Sequence, residues 1–305
     1  MTRFIGLTLT ALLGIGLCLI AISQGWYGIG VFVAAPFALG LTADLITKPV
    51  RRRNSLTSAV VTLLLGMVGM LVTGIEGWVC LLMALPLAFG LTVLGASLGF
   101  TLRRRYFSPH QQRAILAAAL LLGPTTIGAE AIWKPVDPMF ELQSSIEIDA
   151  PPETVWRYVI AADIPEEREW LFHTGLAYPT RSTIDSPGPH ATRRCEFSTG
   201  TFVEPVTTWD PPRVLTFDVT SSPPPMREWS PYTHIHPPHL DGFFTSRRGQ
   251  FRLSPLTGNR TLLIGASWYQ HHLQPAEYWR WWSDAVIRRV HLRVLRNIKT
   301  LAESK

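Results

Sequence analysis

Two charged side chains stand on stretches that otherwise alternate apolar residues onto one face. Along 201–209, Glu204 shares a face with Phe202 and Val206; along 242–253, Arg247 shares one with Phe243, Phe251 and Leu253. Burying either charge alone costs several kcal/mol, so three arrangements are open. The two pair inside, a bulge turns one outward, or they orient a ligand or move its proton. Between these stretches lies a Pro- and His-rich insertion, 221–239, with Trp229, Tyr232, His234, His236 and His239. Its length and aromatics fit a lid or mouth loop. The catalytic candidates are therefore Glu204, Arg247 and His236, as acid, base and oxyanion partner, provided they meet at one point. The candidate ligand contacts are Phe202, Glu204, Trp229, Tyr232, His234, His236, His239, Phe243, Arg247 and Phe251. His-x-His on a strand would point two rings the same way, but Pro237-Pro238 breaks strand geometry and no outside partner is identifiable. No metal ligand and no cofactor is assigned. The three cysteines, Cys18, Cys80 and Cys195, form no disulfide framework and no thiolate zinc pattern.

The elements that must position these residues begin at 140. Ser145-Ile146-Glu147-Ile148 alternates like a strand, Ala150-Pro151-Pro152 stops it, and 153–161 has helical spacing. A second short helix is predicted at 165–172. Strands follow at 191–197, 201–209, 214–220, 242–253 and 261–270, with a weaker one at 175–184. A helix near 275–304 closes the chain, with Val286, Ile287, Val290, Val294, Ile298 and Leu301 on one face and arginines on the other. Of its three opening tryptophans, Trp279, Trp281 and Trp282, not all can reach a core.

Residues 1–134 read differently. Hydrophobic residues are 47% of the chain, and the excess is concentrated here. Five apolar runs, 4–22, 26–43, 57–75, 78–102 and 114–132, predict an all-α transmembrane bundle of about five helices. Lys48 with Arg51–Arg53, and Arg103–Arg105, lie in alternate links, so the positive-inside rule places those loops and the N-terminus in the cytoplasm. An odd number of spans then puts the C-terminal domain on the exoplasmic or periplasmic side of an inner membrane. The stretch from Gly25, GWYGIGVFVAAPFALGLT, repeats as GWVCLLMALPLAFGLT from Gly77, with Pro36 and Pro86 as matched kinks. Apolar spans almost free of ionisable residues favour an anchor over a transport path. The net charge of +6 comes in clusters beside apolar runs, a pattern that matches lipid head groups and not nucleic acid. Residues 135–141 are a stiff linker, and 142–305 form one water-soluble domain.

Ile146-Glu147-Ile148-Asp149-Ala150-Pro151-Pro152-Glu153-Thr154-Val155-Trp156, followed by two small helices, antiparallel strands and a long helix, resembles the START and polyketide cyclase superfamily, SRPBCC. Gly200 to Trp209 is similar to its middle strands. The resemblance implies an α+β helix-grip fold, a curved antiparallel sheet around the C-terminal helix, with an apolar cavity for lipids, polyketides or other hydrophobic molecules. It carries over no catalytic residue, because the superfamily shares none. Three functions follow as expectations: membrane-tethered binding of a hydrophobic small molecule or lipid, a cyclase- or dehydratase-like enzyme, and a sensor or scaffold contacting another protein.

Overall fold

The structure is a computed structural model that describes residues 12, 16, 20–22, 24–105, 108–133, 137–165, 169–232 and 235–304. It divides into a helical unit, Met1–Val136 with Glu228–His239 and His272–Pro275, and a sheet unit, Asp137–Arg227 with Leu240–His271 and Ala276–Lys305. The insertion is thus divided: Glu228–His239, expected as a lid of the sheet domain, groups with the helices.

Among the described residues, the helical unit holds a π turn, Gly30–Ala34, running into α1 (Ala35–Thr47), then α2 (Arg52–Val72), α3 (Trp78–Arg105) and α4 (Pro109–Ile132). All four are long and apolar enough to cross a membrane, α1 together with its π turn. The run at 4–22 falls almost wholly outside the described residues. The two prolines of the repeat are used differently: Pro36 sits in the first turn of α1, whereas Pro86 is inside α3. The repeats meet back to back. A Cβ on Gly40 would lie 1.9 Å from the Thr92 carbonyl oxygen, and one on Gly95 would lie 2.1 Å from that of Phe37. Glycine is what lets α1 and α3 come this close. Their approach also hides polar groups. Asp44, fully buried at the end of α1, accepts from Ser55 of α2 at 2.6 Å and from Arg103 of α3 at 3.1 Å. Glu130 of α4 accepts from the backbone N–H of Ile29 and of Gly30 at the start of the π turn, a carboxylate placed at a helix beginning.

The sheet unit is α+β. Its strands are β1 (Phe140–Ile148), β2 (Ala162–Asp163), β3 (Pro179–Ile184), β4 (Thr192–Phe197), β5 (Gly200–Asp210), β6 (Val214–Asp218), β7 (Phe244–Leu256) and β8 (Arg260–His271), with α5 (Pro152–Ile160) after β1 and α6 (Ala276–Glu303) at the end. They form one curled antiparallel sheet in the order β1-β8-β7-β6-β5-β4-β3-β2. The predicted helix at 165–172 is a short 3-10 turn, Trp170–Thr174; residues 166–168 lie outside the described residues. Ile148, Val155, Val206, Leu215 and Leu263 form the core with Leu295, Ile298 and Ala302 of α6. At 25 cal/mol per Å², each of the valine, leucine and isoleucine side chains contributes about 1.5–3 kcal/mol. The arginines of α6 are not merely solvated: Arg289 and Arg296 both pair with Glu169, and Arg293 donates to the Pro179 carbonyl. Trp279 is buried, Trp281 exposed.

Candidate functional site

Between α6 and the strands lies a small cavity, and the side chains that give it polarity come from β4. Alternation along β4 sends Ala191, just before it, and then Arg193 and Cys195 inward, and all three are buried. Arg193 stands directly opposite Glu204 of β5 in the register. The Arg193 guanidinium donates to the Glu204 carboxylate, with the two residues 3% and 6% exposed. Opposite charges placed across two strands satisfy each other where neither reaches water. The guanidinium also lies over the rings of Phe217, at 4.8 Å, and Phe251, at 5.7 Å. Burial pushes the Glu204 carboxyl up and Arg193 pulls it back. Burial works against the guanidinium charge as well, but Glu204 holds the group protonated. Burial also pushes the Cys195 thiol up to about 12, with Arg193 opposing, so it is a neutral thiol.

The cavity has a volume of about 10 Å³, the room of one water molecule. Tyr158, Val159 and Ile164 line one part, Phe251 another, and Val294 and Ile298 come from α6; Ser182, Arg193, Cys195 and Asn297 supply the polar atoms. Arg193 Nε is buried without a hydrogen-bond partner. A second, half-buried polar group lies along α6, where His291 Nε2 is 2.8 Å from Ser267 Oγ and Nδ1 is 3.3 Å from Ser144 Oγ. Burial, and then the nearby Arg288, lower its pKa to about 4, so the imidazole is neutral.

Glu204 and Arg247 are not brought together. Alternation fails at Arg247 because the β7–β8 register shifts between Ser246 and Arg248. That bulge leaves Arg247 exposed, with its Nε donating to Gln270 at 2.9 Å. The internal ion pair is real, but its cation is Arg193, which the sequence reading passed over. The signal was present in the alternation of Ala191, Arg193 and Cys195. Phe251 lines the cavity, Phe202 packs edge-on against Phe197 at 4.7 Å, and Phe243 is half-buried. Trp229, Tyr232, His236 and His239 belong to the helical unit, and His234 lies outside the described residues. There, Tyr232 donates its hydroxyl to the Val72 carbonyl, Trp229 is exposed, and His236 is exposed. His239 instead joins a buried group with Glu76, Cys80 and Glu228.

Residues 139–274 match the family model described as polyketide cyclase / dehydrase and lipid transport. Similar solved structures include the ZhuI aromatase/cyclase of Streptomyces sp. R1128, at 16% identity and TM-score 0.36, covering 54% of this chain and 94% of that one. A norcoclaurine synthase point mutant of Thalictrum flavum has 11% identity and TM-score 0.36, with 55% and 97% covered. XoxI of Bacillus cereus has 15% identity and TM-score 0.34, with 52% and 93% covered. No curated protein matches the chain in sequence. The stretch 139–274 is thus similar to the polyketide cyclase / dehydrase and lipid transport family, and with the helix after it has a helix-grip fold, a curled antiparallel sheet closed by a long helix.

Proposed function

We propose that this chain binds a hydrophobic small molecule or lipid in the interior of its helix-grip domain, tethered to a membrane by the helical unit. The observation that supports the reading is Arg193 Nε, a buried donor without a hydrogen-bond partner on the wall of a mostly apolar cavity. Such a donor costs free energy until an acceptor meets it. The ligand is therefore an apolar body carrying one acceptor, a carbonyl, carboxylate or phenol oxygen. The cavity of about 10 Å³ is far below the roughly 300–1,000 Å³ of a pocket that holds a drug-sized molecule, so in this reading it must open to admit the ligand. Binding in this reading moves the half-buried Phe251 and Tyr158 rings and half-buried Val294 of α6. Apolar burial supplies the affinity, and the guanidinium sets orientation.

In the same reading the apolar helices span an inner membrane, with the arginine-rich loops and N-terminus cytoplasmic and the C-terminal domain exoplasmic or periplasmic. A cyclase-like enzyme is the second reading; it would have to use Arg193 and Glu204, since Arg247 points away from the interior. Titration calorimetry of the full-length protein with a long-chain fatty acid tests the binding reading. A negative heat-capacity change is expected, and no saturable heat at any temperature would overturn it.

A further inference from the structure

The helical unit gathers a thiol, an imidazole and two carboxylates that the fold otherwise leaves unexplained. Glu76 lies in the turn between α2 and α3, Cys80 in the first turn of α3, and Glu228 and His239 near the two ends of the segment from the insertion. Cys80 Sγ is 2.7 Å from Glu228 Oε1 and 3.1 Å from His239 Nε2, and the latter two atoms are 3.5 Å apart. One potential ligand atom from each of the four residues lies within 4.8 Å of all the others. The Glu228 side chain is fully buried, yet its Oε2 has no hydrogen-bond partner; neither do the buried Glu76 Oε2 and His239 Nδ1, which face each other at 3.5 Å. Among the described residues, neither carboxylate has a lysine or arginine partner; the group each of them meets is the His239 imidazole. Two buried carboxylates without such a counter-charge call for another cation.

We propose that Cys80 Sγ, His239 Nε2 and Glu228 Oε1 bind a zinc-class divalent ion, with Glu76 orienting the His239 ring through Nδ1. The donor set fits the chemistry: thiolate with imidazole and carboxylate selects zinc-class ions over magnesium or calcium. Tetrahedral bonds of about 2.3 Å to sulfur and 2.0–2.1 Å to nitrogen or oxygen put ligand atoms about 3.3–3.6 Å apart. The 3.5 Å between His239 Nε2 and Glu228 Oε1 is already in that range, and the 3.1 Å and 2.7 Å contacts of the Cys80 thiol would lengthen toward it once the ion replaces the thiol proton. A ligating histidine commonly gives its other ring N–H to a carboxylate, which is the place Glu76 holds, itself accepting from the Tyr27 hydroxyl at 3.1 Å. The surroundings are built to admit Glu228. A Cβ on Gly77 would fall 1.7 Å from Glu228 Oε2, and the Trp78 N–H donates to the Trp229 carbonyl at 2.9 Å, pinning the segment at the start of α3. The bound ion would fasten Glu228–His239 to the helices of its own unit.

The test uses the full-length protein in mild detergent, stripped with a chelator and titrated with zinc salt alone, then with cobalt salt. Elemental analysis after desalting should find about one zinc per chain, and cobalt should give thiolate-to-metal charge-transfer absorption. Cys80→Ser should abolish that absorption, and Glu76→Gln should keep it while weakening affinity about 10–100-fold. His110→Ala, on an exposed histidine, should change neither. A wild-type protein that desalts empty and gives no charge-transfer band overturns the proposal whatever the variants do, and leaves the cluster as an imidazolium between two carboxylates. Equal zinc content in wild type and Cys80→Ser overturns it as well.

Discussion

Replacing Glu204 with glutamine leaves the Arg193 guanidinium buried without its counter-charge. The substitution keeps the volume and one acceptor, so what it removes is the negative charge. At an effective dielectric of 20, a unit charge pair at about 4 Å is worth about 4 kcal/mol. The rings of Phe217 and Phe251 replace only part of that. Breaking a buried pair costs about 3–5 kcal/mol, a large share of a domain's stability. With a urea slope of about 2 kcal/mol per M, the midpoint should fall by about 2 M. The assay is urea unfolding of the full-length protein in mild detergent, read by near-ultraviolet circular dichroism, to which the edge-on Trp156–Trp209 pair at 5.5 Å contributes. The double variant Arg193→Met with Glu204→Leu should recover most of the loss, because apolar residues of similar volume replace such pairs at little cost. If Glu204→Gln costs under about 1 kcal/mol, or the double variant is as unstable as the single one, the pair is not sealed from water and the reasoning fails.

Other perturbations give outcomes as definite. His291 has a folded pKa near 4 against about 6.5 unfolded, so its stabilising effect is complete above pH 6.5 and is lost as pH falls toward 4. That loss is about 3 kcal/mol, and urea midpoints of His291→Gln should show a correspondingly shallower decline; parallel curves would count against a neutral imidazole held in the fold. Gly40→Val should lower the melting temperature of the detergent-solubilised protein, because a side chain there meets the Thr92 carbonyl at 1.9 Å and overpacking costs about 1–3 kcal/mol or more. An unchanged melting temperature would show that α1 and α3 have room to part. Arg247→Ala should leave ligand retention and stability within about 0.5 kcal/mol of wild type, as for an exposed side chain on a bulge.

The strands were legible because each carries period-two alternation between turn signals; β4, β5 and β8 fall within a residue or so of the predicted bounds. What alternation cannot show is where it slips. The register shift beside Arg247 has no marker such as glycine, and parity alone placed that guanidinium inside. Arg193 was missed for the opposite reason: alternation did send it inward, but a charge beside Arg194 reads as a surface strand unless Glu204 is known to stand across from it. The Cys80 group was beyond reach in principle, since Cys80 lies 148 and 159 residues from Glu228 and His239 and no local spacing encodes that approach. On α6 the predicted apolar face omitted Leu295, which is 1% exposed and lies one step round the helix from Val294.

The central claim is that the helix-grip interior holds an apolar ligand on Arg193, and native mass spectrometry of the full-length protein extracted gently from its own membrane tests it most directly. The account predicts a discrete bound mass that survives detergent exchange and is lost or held at least about 10-fold more weakly by the Arg193→Met, Glu204→Leu double variant, for want of the charge-assisted hydrogen bond. A wild-type protein that emerges empty, or a bound mass retained equally by the double variant, would contradict it.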